Sequence, residues 1–237
     1  MKNQADRHNK ASKPANNVPH ATAARPAKMA CQSYGVKEFE MKPQELGKKY
    51  DKIAQWWHEQ HQDSLYGMKQ IDMALKFASE GRLALDVGCG SGGRIIRKLE
   101  EQGFAVTGLD VSEAMVNLAH QHHPDASFLV QDICTWETYK KFDFIIAWDS
   151  IFHLPLNMHQ PVIDKLCTLL EKNGVLIYTF GNTNGEHTDR WHEDEFYYSS
   201  IGINGNLTAL INNGLAVMHL ELDQFPEKHV YVVAQKS

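Results

Sequence analysis

The run Leu83–Gly93, LALDVGCGSGG, constrains the fold more than any other part of the chain. Leu83, Leu85 and Val87 read as a buried strand, and four glycines then follow within six residues. Glycines so clustered mark a backbone that turns sharply or lets another group come very close. Beyond this loop the pattern alternates. Strands are expected at 82–87, 105–109, 127–130, 142–147, 174–180, 215–222 and 229–235, with helices at 92–102, 112–122, 158–172 and 204–213. Ser112 followed by Glu113 supplies a capping hydroxyl and an acid at a helix N-terminus. Strands alternating with helices imply βαβ units, hence an α/β fold: a Rossmann-like, doubly wound, mostly parallel sheet. The last two strands should pair antiparallel at one edge.

In such a sheet, ligands bind at the carboxyl ends of the strands where the winding reverses, and Gly88–Gly93 lies at such an end. The acids give the loop its meaning. Asp110 closes the second strand, 22 residues after Gly88, where a carboxylate can accept both ribose hydroxyls. Asp132 follows the third strand, placed to accept a hydrogen bond from an adenine amino group. Asp86 precedes the glycines, where its charge would repel a pyrophosphate and favour an ammonium or a sulfonium.

The successive runs LDVGCGSGG, VTGLDVSEAMVNLA, FLVQDI, FDFIIAWDSIFHLP and LLEKNGVLIYTFG resemble the motifs of the class I S-adenosylmethionine-dependent methyltransferases, a likeness spanning roughly residues 45–237. The resemblance implies a seven-stranded sheet with its last strand antiparallel. It also implies S-adenosylmethionine as cofactor, S-adenosylhomocysteine as product, and methyl transfer by in-line displacement to a small-molecule acceptor. Carried over, Asp86, Gly88, Cys89 and Gly90 lie along the methionine part, and Asp110 binds ribose. Asp132 reaches adenine, which Val111 and Ile133 flank, and Trp148 adds a further cofactor contact. In AWDSIFHLP, His153 is the candidate base and Asp149 its orienter or a substrate ligand; the rival reading has His153 packing against backbone. Cys89 has the rival role of a small apolar filler.

On the substrate side, Trp57 sits in an N-terminal helical segment, about 43–80, read as core or as a lid. The polar stretch GNTNGEHTDRWHEDEFYYSS reads as a loop that brings His187, Tyr197 and Tyr198 to a substrate pocket. No spacing there repeats a metal-ligand pattern, so no metal is expected. The Asn/Asp-Pro-Pro-Tyr/Phe motif of many nucleic-acid methyltransferases is absent after the fourth strand, where WDSI stands.

Composition narrows the partners. The formal charge is −5, yet residues 1–33 carry six Lys or Arg against Asp6, leaving an acidic body. That disfavours a nucleic-acid partner, which needs clustered cations. Residues 1–33 also lack Leu, Ile, Phe and Trp and are expected to be a disordered tail ahead of a methyltransferase domain at 34–237. With no apolar run near ~18 residues, no membrane span is expected. Four scattered cysteines suit a cytoplasmic setting. Two other functions stay open: a catalytically silent protein that only binds S-adenosylmethionine, and an NAD-dependent dehydrogenase. The latter shares the loop and Asp110 but leaves Asp86 and Asp132 unexplained. The acceptor atom and the oligomeric state stay open as well.

Overall fold

A computed structural model describes residues 42–237; the tail expected at 1–33 lies outside the described residues. Two helices, α1 (Pro43–His61) and α2 (Met68–Leu75), lead into the alternating part. There β1 (Leu83–Val87), α3 (Arg94–Glu101), β2 (Ala105–Asp110), α4 (Glu113–His122), β3 (Ser127–Val130) and β4 (Phe142–Ala147) follow in turn. The chain continues through α5 (His159–Leu169), β5 (Leu170–Gly181), β6 (Asn184–Trp191) and β7 (Asp194–Ile201). It ends with α6 (Gly202–Asn212), β8 (Leu215–Glu221) and β9 (His229–Lys236).

Seven strands form one sheet in the order β3-β2-β1-β4-β5-β9-β8. All pairs are parallel except those of β9, which runs against both β5 and β8. The winding reverses between β1 and β4, so the crevice opens at their carboxyl ends. Both faces of the sheet are covered. Leu85, Ile145, Leu176 and Tyr178 pack against Ile163 and Leu166 of α5 and Leu210 of α6. Ala84, Phe144, Ile146 and Ile177 pack against Ile71, Ile96, Leu99 and Val116 from α2, α3 and α4. Such two-sided burial is why the strands read as continuous apolar runs rather than alternating ones.

The stretch expected to be a loop is instead an antiparallel hairpin, β6–β7, forming its own two-stranded sheet. Its outer strand, Asn184–Trp191, is exposed almost throughout, so it carries no hydrophobic alternation. Its two-residue turn is His192–Glu193, with His192 at φ 50°, in place of the Asn-Gly or Asp-Gly that normally marks such a turn.

Helix α1 docks on the start of α4 through polar anchors and one very close approach. Asp51 Oδ1 accepts from Ser112 Oγ (2.6 Å) and from the Ala114 amide (3.0 Å), while Ser112 itself caps α4 through the Met115 amide. His58 reaches Ser91 Oγ at 3.2 Å and stacks on His122. Gly47 lets the helix come so near that an added Cβ would stand 2.3 Å from the Val111 carbonyl oxygen. Backbone on both sides leaves no room to yield. Gly47→Ala is therefore expected to lower stability by about 1–3 kcal/mol. Thermal unfolding should register a Tm fall of roughly 2–4 °C per kcal/mol, and an unchanged Tm would place α1 away from Val111.

Candidate active site

The glycine loop is held by the neighbouring strand. The Gly88 and Cys89 amides both donate to the Leu109 carbonyl, at 2.7 and 2.9 Å, which folds the loop back over the end of β2. Gly88 has φ 74°, and an added Cβ there would meet Ser150 Cβ at 2.2 Å. Gly90 sits under Trp57 of α1, whose Nε1 would be 3.6 Å from such an atom. Gly92 and Gly93 also have positive φ, and the Gly93 amide donates to His123 Nε2.

The three acids converge on this loop. Asp110 accepts from the Gly90 amide through Oδ2 and from the Ser112 amide through Oδ1, both at 2.9 Å. Those bonds orient the carboxylate and leave each oxygen further accepting capacity. Asp132 accepts from the Cys134 amide (2.9 Å), and Gln44 of α1 reaches its other oxygen at 3.3 Å. Asp86 is only 2% exposed, and its Oδ2 has no hydrogen-bond partner among the described residues. Burial, then the nearby Asp110 carboxylate, pushes its acid up to about 7, with Arg94 pulling the other way. A buried carboxylate so under-satisfied is placed to receive a cation.

Gly88, Cys89, Gly90, Asp110, Val111, Asp132, Ile133 and Trp148 all line one cavity, so these residues expected around the cofactor are brought together; Asp86 is not among the lining residues, while its neighbour Val87 is. Helix α1 roofs it with Pro43, Leu46, Tyr50 and Trp57, one face of the helix. Arg94, which the sequence reading passed over, lines it too and donates to the Tyr66 carbonyl.

A second cavity, about 1050 Å³, adjoins the first beneath the β6–β7 hairpin. Tyr50, Trp57, Asp149 and His153 line both. Among the expected substrate contacts, Trp57, His187 and Tyr198 line this second space. Tyr197 does not: its ring is buried and its hydroxyl donates to Glu186 and accepts from the Leu156 amide.

His153 and Asp149 are not partnered with each other as expected. His153 Nδ1 lies 2.7 Å from the Tyr197 carbonyl, which can only accept, so Nδ1 carries the proton. Its Nε2 therefore accepts from the Tyr50 hydroxyl at 2.9 Å. Burial drives the imidazole down to about 4 and raises the Tyr50 phenol, so both are neutral near pH 7. Asp149, in left-handed backbone at φ 51°, bonds Thr179 on both sides: its amide donates to Oγ1 and its Oδ1 accepts from it. Oδ1 also meets His229 Nε2 at 2.9 Å. His229 and its companion Asp223 went unnoticed in sequence because His229 opens β9 and Asp223 lies in the turn before it, and only the antiparallel insertion of β9 carries them to the carboxyl end of the sheet. Among the described residues no group of three or more His, Cys, Asp or Glu side chains is arranged to hold a metal ion.

Residues 84–174 match a family model described as a methyltransferase domain. The ubiquinone biosynthesis O-methyltransferase of Coxiella burnetii (strain RSA 493) is 28% identical over 152 residues, 60% of this chain and 63% of that protein. The Histophilus somni enzyme of the same name is 30% identical, over 58% of this chain and 63% of its own. The chain thus spans less than two thirds of these relatives' length. Among solved structures, magnesium protoporphyrin IX methyltransferase from Synechocystis PCC 6803 superposes with TM-score 0.62 at 20% identity, over 83% of this chain and 98% of that one. With the sheet order and the loop–acid arrangement, these matches support a class I S-adenosylmethionine-dependent methyltransferase, with the family model itself matched over residues 84–174.

S-adenosylmethionine is the cofactor of this class, and the unbonded Asp86 oxygen beside a glycine cradle fits its cationic amino-acid portion. The pH dependence follows. Without ligand Asp86 is partly protonated near pH 7, and a bound cation favours its ionised form. Affinity should therefore rise with pH through 7, by at most about tenfold per pH unit, and then level off. Calorimetry in buffers of different ionisation enthalpy should detect proton release on binding, and Asp86→Asn should abolish it.

Proposed function

We propose that the chain transfers the methyl group of S-adenosylmethionine to a small-molecule acceptor that occupies the second cavity. One observation carries this reading: Tyr50, Trp57, Asp149 and His153 form the boundary shared by the two cavities, where donor and acceptor would meet. The bound cofactor supplies an electrophilic methyl on a sulfonium; the chain's own residues supply position. Asp110 takes the ribose, Asp132 the adenine edge, Val111 and Ile133 the adenine faces, and Asp86 the charge of the amino-acid end. Helices α1 and α2 act as the lid over residues 43–80, excluding water from the junction. Aligning the acceptor with the methyl can by itself lower the barrier by ~7–11 kcal/mol.

His153 serves through Tyr50 in this reading. Its lone pair holds the phenol oxygen at the junction, so the hydroxyl can orient the acceptor while the imidazole stays neutral. The relatives support a small acceptor, since they are called ubiquinone biosynthesis O-methyltransferase and, for a Delftia acidovorans protein matched over 42% of its length, trans-aconitate 2-methyltransferase. The acidic body also favours a small molecule over nucleic acid. Cys89, Cys134 and Cys167 are free thiols, in keeping with a cytoplasmic setting, and no helix among the described residues is long and apolar enough to cross a membrane. A dinucleotide is disfavoured because Asp86 would face its pyrophosphate, and the Gly90 amide that would bind phosphate is already engaged by Asp110.

Calorimetric titration with S-adenosylmethionine, S-adenosylhomocysteine and NAD in parallel tests the cofactor. Micromolar binding of the first two and none of NAD is expected, with Asp110→Ala losing roughly 1.5–3 kcal/mol. Binding of NAD alone would return the chain to the dehydrogenases. Turnover then separates an enzyme from a silent binder. With an acceptor in hand, His153→Ala should cut kcat by roughly 10-fold or more while cofactor affinity changes little; equal loss of both would make His153 a packing residue.

A further inference from the structure

The second cavity has a chemical character of its own. Its walls are aromatic: Trp57 and Trp191 meet edge to face at 5.8 Å, Tyr50 meets Trp57 in the same way, and Tyr198 stands 4.8 Å from His153. At its inner end is Asp149, all of whose protein hydrogen bonds fall on Oδ1: from Thr179, His229 and Tyr66. Oδ2 carries none among the described residues and is left for a ligand.

The group behind Asp149 holds that carboxylate in place. His229 lies between two acids, with Nε2 2.9 Å from Asp149 and Nδ1 2.5 Å from Asp223. Ionised carboxylates only accept, so both nitrogens must donate and the ring is an imidazolium. The two acids raise its proton affinity in spite of burial. Gln70 donates to the far oxygen of Asp223, and Gln224 donates to the Tyr66 hydroxyl, which frees that hydroxyl to donate to Asp149. Two carboxylates around one imidazolium leave a net negative charge at the closed end. Glu186 and Glu227 add to it along the walls, against Lys228, which is exposed, and His187, stacked on Tyr198. Among the described residues no arginine lines this space.

We propose that the second cavity takes an acceptor bearing a basic nitrogen on an apolar frame, held as its cation against Asp149 Oδ2 and beside the rings of Tyr50, Trp57 and Tyr198. This rests on the methyltransferase reading above. Aromatic faces and a carboxylate both attract a cation, and they do so more strongly out of water. Among the described residues, an acceptor with carboxylates would find one exposed lysine and the His229 ring, which Asp149 and Asp223 already engage. For methylation the ammonium gives its proton to Asp149 Oδ2. The freed lone pair forms the new N–C bond while the pair of the sulfonium S–C bond returns to sulfur. The methylated nitrogen now carries the positive charge that the sulfonium has lost, and Asp149, left as the neutral acid, gives its proton to solvent as the product leaves.

The test uses the full chain saturated with S-adenosylhomocysteine, with saturation checked by calorimetry for each variant. Phenethylamine, 2-phenylethanol and 3-phenylpropionate are titrated while the indole N–H signals of Trp57 and Trp191 are followed by NMR, assigned with Trp57→Phe and Trp191→Phe. Phenethylamine should shift both signals and bind roughly 10-fold or more tightly than the other two, and Asp149→Asn should remove that advantage. Equal or tighter binding of the carboxylate, no response to the amine, or an amine affinity untouched by Asp149→Asn overturns the assignment. The comparison of three probes on the unsubstituted protein needs no variant to fold. Absence of S-adenosylhomocysteine binding instead overturns the underlying methyltransferase reading, so the two failures are told apart.

Discussion

A carboxylate buried at the end of the central strand is the constraint on which the rest of the site depends. Asp86 stands in β1 among fully buried neighbours, Ala84 and Leu85, with one oxygen lacking any protein partner. Such a group is costly unless something compensates it. Arg94 offsets part of the cost, at the start of the helix the glycine loop leads into, while burial and Asp110 still hold the carboxyl well above the usual carboxylate range. What remains is a preference for a cation at one point of the crevice. The glycines around it serve the same end, since a side chain at Gly88 would displace Ser150, and Gly90 has a positive φ of 54° that other residues rarely adopt.

The second cavity is walled in part by elements that lie outside the seven-stranded sheet. Helix α1 and the β6–β7 hairpin hold each other: Lys52 pairs with Asp194, and Trp56 and Trp57 both contact Trp191. Exposed ion pairs contribute little on their own, so the aromatic contacts carry most of this junction. Tyr50 and His153 then join the roof to the floor through one hydrogen bond. A histidine with both nitrogens engaged and its acidity pushed to about 4 is better suited to hold a neighbour than to take protons at neutral pH.

Much of this was legible in the chain before folding was considered. Asp86, Asp110 and Asp132 could be read because each lies at a strand's carboxyl end, a position set by local pattern. The hairpin could not, because β6 is exposed along its length and its turn at His192–Glu193 lacks a glycine. The partnership of Asp149 also escaped notice. Sequence proximity suggested His153, four residues on, whereas the three-residue 3₁₀ turn at Ile151–His153 directs that ring toward Tyr50 and the β7 backbone.

By itself the sequence determined the βαβ alternation, the glycine turn and the three acids, because strand periodicity, backbone permissiveness and charge are properties of neighbouring residues. Only the tertiary structure decided which side chains share the junction. His229 meets Asp149 across 80 residues, and Tyr50 meets His153 across 103. Those pairings exist because β9 is inserted antiparallel between β5 and β8 and because α1 folds back over the crevice. Both are long-range packing events driven by burial of apolar surface, which leaves no periodic mark at the polar residues it brings together.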